Sequence, residues 1–253
     1  MRARSVALVL LLASVGCATS DASPTARTSA AKQPAARPPH LVLAESLIDS
    51  LRPGDTSYQH KPTVVVFPSD PERERAECRA DCSGFVGAVL RRAYGLSETE
   101  FAALLGDKRP RARTFRDAIV AGRGFIPVAP ADARPGDVLA ISFPAGSEDT
   151  GHVMFLASAP KAHAESAPVV AGTTQWEFAV LDCTGTPHGP GDSRHSKRGK
   201  PRTGAGRGVV RVYVDAQGAI AGYTWSTSPK SEFRAQQSRD AAIGRFVAPA
   251  PKQ

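Results

Sequence analysis

Cysteine is rare in this sequence, with four residues in 253. That is too few to build a chain of this length as a disulfide scaffold, so a hydrophobic core must hold it together. Aromatic residues are sparse too, at 6%. They nowhere interleave with basic residues in the way the stacking platforms of single-stranded nucleic acid require. No apolar run approaches the roughly 20 residues of a membrane-spanning helix, which excludes a multi-span membrane protein. Acidic residues are outnumbered, 24 Asp and Glu against 32 Lys and Arg, for a formal charge of +8. That excess admits an anionic polymer or lipid surface as a partner. No internal repeat is visible. Glycine (22) and proline (21) are plentiful, so part of the chain must be linker or loop. Hydrophobic residues at 42% and charged residues at 22% suit one or two globular domains and exclude a wholly disordered chain.

Arg2 and Arg4 precede an apolar stretch from Val6 to Val15, followed by Gly16, Cys17, Ala18, Thr19 and Ser20. A positive start, about ten apolar residues and a small-residue exit describe a secretory signal. Nothing polar interrupts the stretch to make it an amphipathic core helix. Ser14-Val15-Gly16-Cys17 resembles a bacterial lipobox, with Ser14 where leucine is usual. The resemblance implies that Cys17 is lipidated and becomes the first residue of the mature chain; simple secretion is the alternative. Residues 18–40 are Ala, Ser, Thr and Pro with scattered charge. Such a segment buries too little to fold and reads as a disordered tether. The sequence therefore divides into a signal peptide (1–17), a tether (18–40), a folded domain (41–228) and a polar tail (229–253), with a short helix expected from Ser238 to Val247.

Within the domain, Leu43, Ala44, Leu47, Ile48 and Leu51 repeat at helical spacing up to Pro53-Gly54. Residues 55–77 look irregular apart from the apolar run Val64–Phe67. Cys82, Phe85, Val86, Val89, Leu90 and Ala93 form one helical stripe, capped by Asp81 before it and Gly95 after it. Ser97 to Glu100 is a capping box for a short helix, and Thr114 opens another. The period then changes. Strands are expected over 137–143, 152–157, 178–183, 209–214 and 219–225, the last two forming a hairpin. Helices first and an antiparallel sheet afterwards predict an α+β domain.

The chemistry-bearing residues lie where these patterns change. Cys82 opens a helix, where the partial positive charge of the N-terminus favours thiolate. Gly84 lets a substrate or a second backbone come close. His152 begins an otherwise apolar strand and so faces whatever lies beyond the strand end. A buried small residue and a satisfied edge histidine are the bland alternatives for each alone.

Together, Asp81-Cys82-Ser83-Gly84-Phe85-Val86, Pro135-Gly136-Asp137-Val138-Leu139 and Gly151-His152-Val153 resemble the NlpC-type family of papain-like cysteine peptidases, which trim bacterial cell-wall peptides. The resemblance implies a papain-like NlpC-type fold, with helices packed on an antiparallel sheet and the catalytic cysteine at a helix N-terminus. It implies a cysteine endopeptidase that hydrolyses amide bonds in peptidoglycan stem peptides, with no cofactor. Cys82 would be the nucleophile and His152 the general base, resting as thiolate and imidazolium. A third polar residue would orient the histidine, and both Asp182 and His188 are candidates. Asp81 and Ser83 would contact the substrate amine, and Tyr58 is a candidate counterpart of the family's tyrosine near the oxyanion hole. Other readings are a CHAP-like amidase, an acyltransferase, or a non-catalytic cell-wall-binding lipoprotein. The expected location is the cell envelope, lipid-anchored or secreted, with peptidoglycan and a membrane as partners and no nucleic acid. Oligomeric state is left open.

Three features stand outside that resemblance. Cys78 and Cys183 are candidates for a disulfide in an oxidising compartment, with free thiols as the alternative. A zinc site from Cys78, Cys82, Cys183 and His188 has poor knuckle spacing, so no metal is expected. Seven Lys or Arg residues between Arg194 and Arg211 form either an anion-binding patch or a solvated loop. The long spacer between His152 and Asp182 suggests an inserted loop over 158–175, which could gate the site.

Overall fold

The structure, a computed structural model, describes residues 36–195 and 200–250. The signal peptide, Cys17 and all but the last residues of the tether lie outside the described residues.

Helix α1 spans Pro39–Ser50, and the short strands β1 (Thr56–Tyr58), β2 (Val64–Val66) and β3 (Glu77–Ala80) follow. Three helices come next: α2 (Cys82–Tyr94), α3 (Glu98–Leu105) and α4 (Ala112–Val120). The rest is strand: β4 (Phe125–Pro127), β5 (Val138–Ser142), β6 (Gly151–Leu156), β7 (Lys161–His163), β8 (Thr173–Thr184), β9 (Gly204–Asp215), β10 (Ile220–Thr224), β11 (Phe233–Ala235) and β12 (Asp240–Phe246). These nine strands make one antiparallel sheet in the order β11-β10-β9-β8-β6-β5-β12-β4, with β7 pairing beside β8. Strands β1, β3 and β2 form a separate three-stranded sheet.

This corrects the expected fold class. The chain is mostly β, built on a nine-stranded sheet, and the papain-like arrangement of helices on a sheet is not what it adopts. The expectation went astray at strands that are short or rich in small side chains and whose partners are remote. Residues 55–77, read as irregular apart from the apolar run Val64–Phe67, hold β1 as well as β2 within that run, and β3 begins at Glu77. The expected polar tail holds β11 and β12. Residues 240–246, expected in a helix, pair with β5 on one side and β4 on the other. Ala241, Ile243 and Phe246 of β12 are buried, but small side chains give little strand signal on their own. Arg245 fixes this strand by donating to both oxygens of Asp137, each at 2.9 Å.

The local signals of the helices hold. Asp81 Oδ1 accepts from the Gly84 amide at 2.6 Å, and Gly95 ends α2 in the left-handed conformation at φ 64°. Such a cap contributes about 1 kcal/mol. Ser97 and Glu100 form the reciprocal capping box of α3. The buried stripe of α2 packs against β6, with Phe85 edge-on to Phe155 at 6.1 Å. His40 of α1 is buried between the Tyr94 hydroxyl (2.7 Å) and the Gly136 carbonyl (2.8 Å), which ties α1 to α2 and the sheet.

Strand alternation gives the sheet two buried faces. Val138, Ala140, Val153 and Phe155 join the helices in one core. Leu139, Ile141, Met154 and Leu156 meet Phe178, Val180, Val210 and Val212 in a second core on the other face. The 158–175 segment is anchored: β7 pairs with Gln175–Glu177. Asp182 lies five or more residues further along β8, on the order of 17 Å away at the rise of a strand. This segment therefore does not cover Asp182.

Candidate active site

Cys82 is the first residue of α2 and only 4% exposed. Its sulfur faces the backbone N–H groups of Val153 and Ser83. Burial, reinforced by the charge of Asp81, pushes its thiol up to about 12. Asp81 is occupied by its cap and by the Ser83 hydroxyl, which donates to it at 2.9 Å.

His152 enters through Gly151. That glycine has φ 144°, and a Cβ there would lie 1.8 Å from the Ile141 carbonyl oxygen, so no other residue fits. The His152 Nε2 lies 2.6 Å from Asp182 Oδ2. Burial lowers the pKa of His152, against the raising effect of Asp182. With Nε2 committed to the carboxylate, Nδ1 is the nitrogen left for chemistry.

Asp182 is fully buried on β8 and gathers more than one partner. His188 Nε2 lies 2.9 Å from the same Oδ2, and Arg194 Nη2 lies 2.9 Å from Oδ1. Burial alone would raise its carboxyl, yet His188, Arg194 and the two histidine hydrogen bonds hold it well below the usual range. Asp192 in turn accepts from Arg194 Nε at 2.8 Å and Nη2 at 2.7 Å, and from the His188 amide at 2.8 Å.

The Nδ1 of His188 faces the Trp225 carbonyl at 2.9 Å, which can only accept. Its Nε2 faces an ionised carboxylate, which also only accepts. Both ring nitrogens of His188 therefore face acceptors, and one carboxylate oxygen takes two imidazole partners. Burial holds the pKa of His152 down and that of the Cys82 thiol up, which favours the uncharged form of each. The two candidates for the third residue are not alternatives: both meet at one carboxylate oxygen. Ligand-type atoms of His152, Asp182 and His188 all lie within 4.8 Å of one another; both histidines meet Oδ2, while Oδ1 has the Arg194 guanidinium at 2.9 Å as an ion-pair partner and accepts no hydrogen bond.

Cys82 opens into a cleft of about 290 Å³ lined by Tyr58, His60, Lys61, Arg109, Arg111, Glu148 and Asp149, among others. His152 opens into a second cleft, of about 310 Å³. Tyr58, Asp149 and Gly151 line both. Burial and neighbouring acidic groups push the Tyr58 phenol up, so it stays a hydrogen-bond donor.

Cys78 and Cys183 are free thiols, both fully buried, so the disulfide expectation is not met here. Their side chains are hydrogen-bonding neighbours, and Cys183 Sγ donates to the Ala80 carbonyl at 3.0 Å. The basic run is not a continuous patch, because Arg194 and Arg211 are 2% and 0% exposed. Asp192, Arg194 and Trp225 escaped the sequence reading. The usable signal for Arg194 was its spacing two residues after an aspartate in a Gly-rich turn.

No family model and no solved structure matches the chain, so the papain-like expectation finds no counterpart among solved folds either. The chain is 32% identical over 220 residues to an uncharacterized protein of Acanthamoeba polyphaga mimivirus, an alignment covering 83% of this chain and 96% of the viral one. With that identity along nearly the whole of the relative, the chain belongs to the same family as this mimivirus protein.

Proposed function

We propose that the protein is a cysteine-nucleophile amide hydrolase that cleaves peptidoglycan stem peptides at the cell envelope, exported by its signal and held there by a lipid on Cys17. The observation that carries the chemistry is the Nε2–Asp182 bond of 2.6 Å. It fixes the tautomer of His152 so that the Nδ1 lone pair is free to act as a base. The peptidoglycan substrate follows from the resemblance of the three motifs and from the export signal.

In the first half-reaction, Cys82 Sγ attacks the amide carbonyl carbon as its proton passes to His152 Nδ1. The backbone N–H of Cys82 and the Tyr58 hydroxyl are the donors for the developing oxyanion. The imidazolium then protonates the departing amine, the C–N bond breaks, and a thioester remains on Cys82. Water, deprotonated by His152, attacks the thioester and releases the acid and the thiol. A resting thiol suits this route, since proton transfer and attack occur together and no buried thiolate has to be stored.

The test is digestion of purified peptidoglycan by the soluble protein beginning at Ala18, beside Cys82→Ala, with products weighed by mass spectrometry. New muropeptides from the parent alone support the reading, and their masses separate a stem-peptide cut from an amidase cut at the glycan link. No products from either protein on several wall types would overturn it.

A further inference from the structure

The cleft on the His152 side has walls of a different kind from the one that holds Cys82. Phe143, Tyr223 and Trp225 line it, together with Arg234 and Arg239. Trp225 stands edge-on to His152, ring centres 4.9 Å apart, and donates from its indole to the Thr186 carbonyl at 2.9 Å. It is therefore held rigidly beside the base. The Arg239 guanidinium lies over the Phe143 ring at 3.8 Å and bonds to the Tyr223 side chain. Among the described residues no carboxylate forms an ion pair with Arg239. Arg234 pairs with Glu232, but both side chains are well exposed and such a pair is easily exchanged.

In amide hydrolysis the base protonates the departing nitrogen, so the departing half of the substrate lies on the base's side of the scissile bond. The geometry points to this cleft as the binding site for the departing amine, recognised through a carboxylate by Arg239 with Arg234 beside it and through an apolar stem against Phe143 and Trp225. The inference rests on the reading of Cys82 and His152 as nucleophile and base. A guanidinium stacked on an aromatic ring is pre-set in orientation and presents a planar donor fork to a carboxylate. Among the described residues Asp149 is the only acid on the cleft wall; it also lines the other cleft and lies 3.7 Å from His60 Nε2.

The probes are L-lysyl-D-alanine and its C-terminal amide, titrated calorimetrically into the Cys82→Ala protein, which needs no turnover. The acid is expected to bind about tenfold or more tighter than the amide, the usual weight of a charged hydrogen bond. Arg239→Met should bring the acid down to the level of the amide and leave the amide unchanged. Arg239→Lys, which keeps the charge without the planar fork, should recover part of the preference and guards against a folding artefact. Equal affinity for acid and amide, including no measurable binding of either at millimolar concentration, overturns the inference. Turnover separates it from the hydrolase reading. Cleavage of stem peptides with the same kcat/KM for free-acid and amidated leaving groups sinks the cleft assignment and keeps the hydrolase. Arg239-dependent binding in a protein that cleaves nothing keeps the cleft and sinks the hydrolase.

Discussion

Replacing His188 with glutamine removes a buried imidazole whose charge works to lower the pKa of His152, while leaving an amide that can still donate to Asp182. The ring centres of His152 and His188 are 6.3 Å apart. At that separation two unit charges repel by about 2.6 kcal/mol at an effective dielectric of 20, and by about 0.7 kcal/mol in bulk water. At 1.36 kcal/mol per pKa unit, losing the His188 charge should raise the pKa of His152 by about 0.5 to 2 units. His152 must be neutral to accept the thiol proton, so activity falls as pH drops through its pKa. The acid limb of kcat/KM should therefore move to higher pH in His188→Gln, with little change on the alkaline side. The other charged groups that act on His152 are Asp182 on β8 and the Arg194 guanidinium, and neither is altered. Nitrogen-15 NMR of the histidine rings in Cys82→Ala reads the same shift without turnover. An acid limb that stays put or moves down would refute the reasoning.

Asp182→Asn should lower kcat by about three to four orders of magnitude, by releasing the His152 tautomer. It should also lower Tm, since an Arg194 stripped of half its counter-charge costs about 3–5 kcal/mol; circular dichroism melts and single-turnover kinetics separate the two effects. Asp81→Ala removes a cap worth about 1 kcal/mol and a charge that raises the Cys82 thiol, so the pH dependence of alkylation at Cys82 should shift down. Stability should fall as pH drops below 6.5, because the unfolded chain takes up a proton at His152 that the buried ring resists. Asp182 adds a further loss below about 3.8, and Cys82 a loss as pH rises from 9.0 toward about 12. Urea titrations from pH 3 to pH 11 should give a dome falling on both sides, and a flat acid side would contradict it. Gly151→Ala should not yield soluble protein, given the 1.8 Å approach to the Ile141 carbonyl.

What was legible in the sequence was local. The α2 stripe, its Asp81 and Gly95 caps and the α3 capping box are set by neighbours within a turn, and the apolar runs of β5, β6 and β8 announce themselves. The same locality identified Cys82 and His152, each at the head of an element. The rest of the sheet was not legible, because β4 has only three residues and β12 is rich in small side chains, and both acquire their identity from strands far away. Asp240 pairs with Ser142 across nearly a hundred residues. The carboxylate network was half legible. Asp182 and His188 stood out as polar residues by an apolar strand, whereas Arg194 was submerged in a basic run. Its burial depends on Asp192 and on the Gly204 carbonyl, which accepts from it at 2.9 Å. Gly208 completes this arrangement: a Cβ there would meet His188 Cδ2 at 2.4 Å, so the ring can sit against β9 only over a glycine.

The position of β12 also bears on how the sheet is assembled. This strand follows its two neighbours in the chain yet lies between them, so β5 and β4 each keep an unpaired edge until residues 240–246 dock, and long-range pairings of this kind form slowly. A chain cut short after residue 239 would lose the partner of both strands together with the Arg245 clamp on Asp137. Such a product would present two open strand edges as templates for aggregation or for another strand.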